Sequence, residues 1–136
     1  NLEASMTKAA AIIVTIHSGH NLVKRDRFGK SDPFCVVRLG DYVAQTKVIK
    51  KSLEPVWEFQ VCWPGPFLNP DSCIQIVVWD WDRFSSNDYM GELDISLASI
   101  PAATGGYRRR RFELKVGEER RSQRIHGELE LSVYFV

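Results

Sequence analysis

The stretch IQIVVWDWDRFSSNDYMG, residues 74–91, runs out of an apolar strand pattern into three aspartates, Asp80, Asp82 and Asp88, within nine residues. Residues two apart on a strand share a face, so the alternation predicts Asp80 and Asp82 on one side and Trp79 and Trp81 on the other. The turn RFSSND then doubles back, carrying Asp88, with Ser85 or Asn87, toward the same point. A second acidic pair stands earlier, in RDRFGKSDPF, where Asp26 and Asp32 bracket a glycine-containing turn and Pro33 starts the next strand. Taken singly, an aspartate in a loop does no more than cap local backbone. The Asp80 and Asp82 pair resists that reading, because two turn caps rarely share a face at a strand end.

Five carboxylates in one pocket raise one another's pKa and repel unless a cation balances them. Calcium takes about six to eight oxygens at flexible geometry, whereas magnesium demands a near-ideal octahedron and retains waters. An oxygen-only set on two flexible loops therefore suits calcium. Zinc is disfavoured, since the three His and three Cys are scattered and none neighbours the acidic loops.

The elements that must hold these residues are short, β-rich and closely spaced. Runs over 10–18, 33–40, 42–49, 57–63, 73–80, 89–97, 107–114 and 127–136 are separated by turn signals, which predicts an all-β, eight-stranded antiparallel sandwich or barrel. In the last run Leu129, Leu131, Val133 and Phe135 alternate with Glu128, Glu130, Ser132 and Tyr134, the period of a strand with one face in a core. Three prolines and a glycine make WPGPFLNPDS (63–72) a loop, and SLASIPAA (96–103) reads as one helical turn stopped at Pro101. Trp79, opposite the acids, is expected in the core.

The length of 136 residues suits one domain, assigned to residues 9–136, with residues 1–8 a leftover or linker segment of a larger chain. An apolar fraction of 44% and a charged fraction of 26% argue against a disordered, fibrous or membrane-spanning chain. The longest apolar run, Ala9 to Val14, falls far short of the roughly 20 residues of a membrane helix, so membrane contact would be peripheral. Cys35, Cys62 and Cys73 lie in strand-like runs without C-x-x-C spacing and read as buried free thiols in a reducing, cytoplasmic setting. The net charge of +1 conceals a bias, with eight of eighteen Lys and Arg between Arg108 and Arg124.

Three segments, in order, resemble the C2 domain, the second conserved region of protein kinase C, found also in synaptotagmins and many lipid-signalling proteins. NLVKRDRFGKSDPFCVVRLG is similar to that family's first calcium loop and the strand after it. TKVIKKSLEPVWEF is similar to its basic strand and second loop, and VVWDWDRFSSNDYMGEL to its third loop, with the D-x-D-x-x-S-x-x-D spacing complete. The resemblance covers about residues 10–136 and implies a C2-type sandwich with calcium-binding loops at one end. It places calcium ligands at Asp26, Asp32, Asp80, Asp82 and Asp88, with Ser85 as auxiliary oxygen and the carbonyls of Arg27 and Trp81 facing the metal. Family members bind two or three calcium ions; against five carboxylates, two leave one negative charge and three leave one positive. The first strand leads directly into the first loop, which implies the second topology, that of phospholipases and ubiquitin ligases. The second loop departs from many relatives, with Glu54 before Pro55 and Glu58 after Trp57 where they carry Asn.

What the resemblance implies functionally is calcium-dependent binding to anionic phospholipid, phosphatidylserine or phosphoinositide, targeting a parent protein to the membrane. Phe28 and Phe84 at the loop tips would dip into the interface beside Arg27 and Arg83, unless either ring folds back into the core. Lys47 and Lys50, with Lys51 the weaker candidate, would form a secondary phosphoinositide site. Arg108 to Arg111 reads as an electrostatic patch for anionic lipid or a neighbouring domain, not for nucleic acid, since it lacks interleaved stacking aromatics. The competing reading is a protein-interaction or autoinhibitory module contacting its parent chain. An enzyme finds little support in the sequence, because His17, His20 and His126 stand in no recognisable nucleophile motif. The isolated domain is expected to be a monomer.

Overall fold

The computed structural model describes residues 9–25, 29–67, 69–101, 105–121 and 123–136. Among the described residues eight strands follow one another: β1 (Ala11–His20), β2 (Pro33–Leu39), β3 (Tyr42–Gln45), β4 (Val56–Pro64), β5 (Cys73–Asp80), β6 (Asp88–Ser96), β7 (Tyr107–Glu113) and β8 (Glu128–Phe135). They form two four-stranded sheets, ordered β4-β1-β8-β7 and β3-β2-β5-β6, with antiparallel pairing. The final strand lies beside the first. The single turn at 96–103 is present as a 3-10 turn, Leu97–Ser99, with the Ala98 N–H accepted by the Ser96 hydroxyl.

Alternation decides which side chains fill the space between the sheets. Ile12, Val14 and Ile16 of β1 and Leu129, Leu131 and Val133 of β8 face Val37 of β2 and Ile74, Ile76 and Val78 of β5, all fully buried. Each such side chain contributes about 1.5–3 kcal/mol relative to an exposed one. On β5 the even positions continue inward to Asp80, which leaves Trp79 on the outer face. The expectation that Trp79 is core is therefore corrected: it packs edge-on against Tyr89 at 5.8 Å, under the Arg120 guanidinium at 5.3 Å. Cys35 is buried as expected, but Cys62 and Cys73 are exposed, because β4 turns Cys62 outward and Cys73 opens β5.

The strand expected over 42–49 stops at Gln45. Thr46 inserts its hydroxyl into the ladder, accepting the Cys35 N–H at 2.9 Å, and the chain bends into the second loop. A bulge sits where β5 meets β6: Val78 pairs with Gly91 and Trp79 with Tyr89, so Met90 is the extra residue. Gly91 has φ +121°, and a Cβ there would lie 2.7 Å from Ile125 Cγ2, so conformation and space both require glycine. The shift brings Asp88 opposite Asp80.

Candidate metal and membrane-contact site

The acidic end is built by ladder register. Pro33 pairs with Asp80 and Asp80 pairs with Asp88, so Asp32, Asp80 and Asp88 stand at the same end of three neighbouring strands. Asp80 is 2% exposed, and its Oδ1 accepts the Asp32 N–H at 2.8 Å. The Trp81 N–H in turn donates to the Asp32 carbonyl at 2.9 Å, fastening the start of the third loop to the end of the first. Asp32 Oδ1 accepts the Lys51 N–H at 2.7 Å, which ties in the second loop.

Asp82 is placed differently from the alternation argument. Strand β5 ends at Asp80, so Asp82 already belongs to the loop. Its Oδ1 accepts the N–H groups of Phe84 and Ser85 at 2.8 and 3.2 Å, and its Oδ2 accepts the Ser85 hydroxyl at 2.8 Å. The Phe84 N–H first, then the Ser85 hydroxyl, hold the Asp82 carboxyl below the usual aspartate range, so it stays ionised. Among the described residues, no three His, Cys, Asp or Glu side chains are gathered closely enough to hold a metal ion. Asp26, Arg27 and Phe28 lie outside the described residues, as do residues 1–8. The donor set still fits a hard cation in kind. Carboxylate, hydroxyl and carbonyl oxygens line the loop end, and the hydrogen bonds just described come from neutral N–H and O–H donors that a cation would not oppose.

At the tip, Phe84 is 88% exposed, so its ring does not fold back into the core, and Arg83 lies over it at 5.4 Å. Lys47 and Lys51 are exposed beside Lys50, whose ammonium lies 5.6 Å from the Trp81 ring. The Arg108 to Arg111 block is already engaged. Arg108 stacks on Tyr134 at 3.6 Å, Arg109 bridges Glu130 and Glu58, Arg110 covers Tyr107 and Phe112, and Arg111 pairs with Glu128. Pairing with three glutamates subtracts from the positive field this block was expected to present. A cavity of about 590 Å³, lined by Tyr42, Pro64, Phe67 and Leu97, lies at the opposite end of the sandwich.

The two glutamates that depart from the second-loop pattern each meet a histidine. Glu54 accepts the Asn21 N–H at 2.9 Å and lies 3.2 Å from His20 Nδ1, pinning the second loop to the end of β1. Glu58 lies 2.7 Å from His17 Nδ1, while His17 Nε2 meets the Ser132 hydroxyl at 2.8 Å, and Ser132 accepts the Arg109 N–H. Register shifts at one level of the β4-β1-β8-β7 sheet bring these residues together, with Glu58 and Arg109 at positive φ. Sequence reasoning missed this row, since bulges break the alternation on which it relies.

The His17 hydrogen bond, then the charges of His17 and Arg109, hold the Glu58 carboxyl below the ordinary value of 4.5. A depressed folded-state pKa stabilises above the unfolded value, and that contribution fades as pH falls through the folded one. The stability advantage of wild type over Glu58→Gln is thus expected to shrink as pH drops below about 4.5. Urea midpoints followed from neutral pH down into the acid range check this; a constant difference would contradict it.

A family model for the C2 domain matches residues 10–116. The chain belongs to the C2 domain family. A probable serine/threonine-protein kinase of Dictyostelium discoideum is 40% identical to this C2 domain over 93 residues, 68% of the chain and 9% of the relative. The C2-DOMAIN ABA-RELATED 11 protein of Arabidopsis thaliana is 40% identical over 87 residues, 64% of the chain and 51% of the relative. This C2 domain therefore spans about half, or much less, of the curated relatives it matches. Among solved structures, a C2 domain of plant Extended Synaptotagmin 1 superposes with TM-score 0.73 at 20% identity, covering 93% of this chain and 94% of that one. Calcium-bound Extended-Synaptotagmin 2 gives TM-score 0.73 at 23% identity over 93% of this chain and 45% of that one. These likenesses establish the fold.

Proposed function

We propose that this C2 domain is a noncatalytic, calcium-controlled module that attaches the protein carrying it to anionic phospholipid membrane. The observation that carries the reading is the stacking of Asp32, Asp80 and Asp88 at the sandwich end whose third loop presents Phe84, 88% exposed. Asp32, Asp80, Asp82 and Asp88 would hold the ions together with Asp26, the Ser85 hydroxyl and the Arg27 and Trp81 carbonyls. Calcium, when bound, supplies the positive charge and the vacant coordination positions that lipid phosphate can fill. Without it, the clustered carboxylates repel an anionic surface, and Asp82 stays engaged with its own turn. Phe84 is positioned to bury its ring in the acyl boundary while Arg83 meets headgroups, and Phe28 is assigned the same part on the first loop. Calcium-bound Extended-Synaptotagmin 2 shares this fold, which supports the reading. Among the described residues no helix is long and apolar enough to cross a membrane. The attachment proposed is peripheral, from the cytoplasmic side, when calcium rises.

Co-sedimentation with phosphatidylserine-containing and with neutral liposomes, each with calcium and with chelator, tests this. The module should pellet with the anionic liposomes in calcium alone. Equal pelleting in chelator would overturn the calcium switch, and no pelleting in either condition would favour the protein-contact reading.

A further inference from the structure

The guanidinium of Arg25 joins the start of β6 to the connection between β7 and β8. Arg25 Nε donates to the Tyr89 carbonyl at 2.9 Å, and its Nη2 donates to the Arg124 carbonyl at 3.1 Å and to Gln123 Oε1 at 3.3 Å. Its own backbone N–H donates to the Ser31 hydroxyl at 2.9 Å, and Ser31 is fully buried and bonded on to the Val23 carbonyl. Arg25 is the residue before Asp26, Tyr89 is the residue after Asp88, and Ser31 is the residue before Asp32. One residue therefore fastens chain positions adjacent to three of the five aspartates.

The third anchor is the connection from β7 to β8, which runs past residue 116, where the family match ends. That connection is itself fixed to the same place. The Gly117 N–H donates to the Tyr89 hydroxyl at 3.0 Å, and Arg120 covers the Tyr89 ring at 4.7 Å. Tyr89 donates in turn to Glu92 at 2.6 Å, and burial first, then that bond, pushes its hydroxyl up to about 12, so it remains a donor.

We propose that Arg25 is a positioning residue for the acidic loop end, holding the chain at Ser31, beside Asp32, and at Tyr89, beside Asp88, in a fixed relation through its bonds to both and to Arg124. The proposal rests on the calcium reading above. A site assembled from separate loops gains affinity when their separation is set before the ion arrives, because the ordering cost falls on folding rather than on binding. The guanidinium suits this role as an ammonium does not, since its planar fork reaches carbonyls on two elements at once.

Calcium titration calorimetry on wild type, Arg25→Ala and Arg25→Lys tests it, with amide hydrogen exchange of residues 81–88 measured in chelator as a metal-free readout. Both variants should bind calcium roughly 10- to 100-fold more weakly, the usual effect of removing a group that orients metal ligands. Both should also exchange faster across 81–88. Wild-type affinity in either variant, or tighter binding on loss of the positive charge, would overturn the positioning role. If Arg25→Ala does not fold, Arg25→Lys, which keeps the charge and loses the fork, decides alone. A wild type that binds no calcium would overturn the underlying reading instead, and is told apart at once.

Discussion

Asp80→Asn/Asp82→Asn is expected to abolish calcium-dependent pelleting with phosphatidylserine liposomes at the calcium concentration that suffices for wild type, while leaving the sandwich folded. The asparagine at 80 keeps an oxygen that can accept the Asp32 N–H, now made by Asp80 Oδ1 at 2.8 Å. The asparagine at 82 likewise retains an acceptor for the Phe84 N–H. What the pair loses is two negative charges at the cation site. Half-maximal pelleting should therefore need on the order of 100-fold more calcium, since the number of ligand charges is a main determinant of calcium affinity. The denaturation midpoint in chelator should change little, because lost hydrogen-bond strength is offset by relief of repulsion among the remaining acids. Pelleting at the wild-type calcium concentration would mean that these aspartates hold the loop only as turn caps.

The second large effect belongs to the scaffold. Ile76 is fully buried at the middle of β5, paired with Val37 on one side and Leu93 on the other. Truncation to alanine removes apolar contacts and leaves a cavity that strands on both sides resist closing. Ile76→Ala is expected to lower stability by about 2–5 kcal/mol. Urea denaturation should show a lower midpoint with an unchanged slope. The folded fraction should bind calcium as wild type does, which separates a scaffold defect from a site defect. A loss below about 1 kcal/mol, outside the usual range for such a truncation, would mean that the two sheets pack more loosely at Ile76 than its burial indicates.

The strands were legible because their signals are local. Leu129, Leu131 and Val133 alternate with polar residues, and prolines close the runs at Pro64 and Pro101, so both the faces and the ends can be read from residue type. Trp79 and Cys62 were misplaced for a shared reason. An apolar residue in a strand reads as core, yet which face is inward follows from register with neighbouring strands, and β5 gives its inward positions to Ile76, Val78 and Asp80. The Asp80 and Asp82 alternation failed at its last step because β5 ends at Asp80, leaving Asp82 to a turn that its own carboxylate caps. Register also hid the side-chain bonds of Arg25 and the Glu58, His17 and Ser132 row, which join residues 41 to 115 positions apart across bulges and loops. Glu54 and Glu58 could have been flagged together with His20 and His17, since two glutamates replacing asparagine in one loop ask for cationic or donor partners nearby.

The central claim is that the acidic loop end holds calcium, and thermal unfolding of the domain without lipid tests it most directly. A ligand that binds only the folded state stabilises it by about 2.7 kcal/mol at 100 times its Kd. The wild-type midpoint should climb with free calcium and respond far less to magnesium at equal concentration, while the midpoint of Asp80→Asn/Asp82→Asn stays flat. A wild-type midpoint indifferent to calcium, or an equal rise in the double variant, would contradict the account.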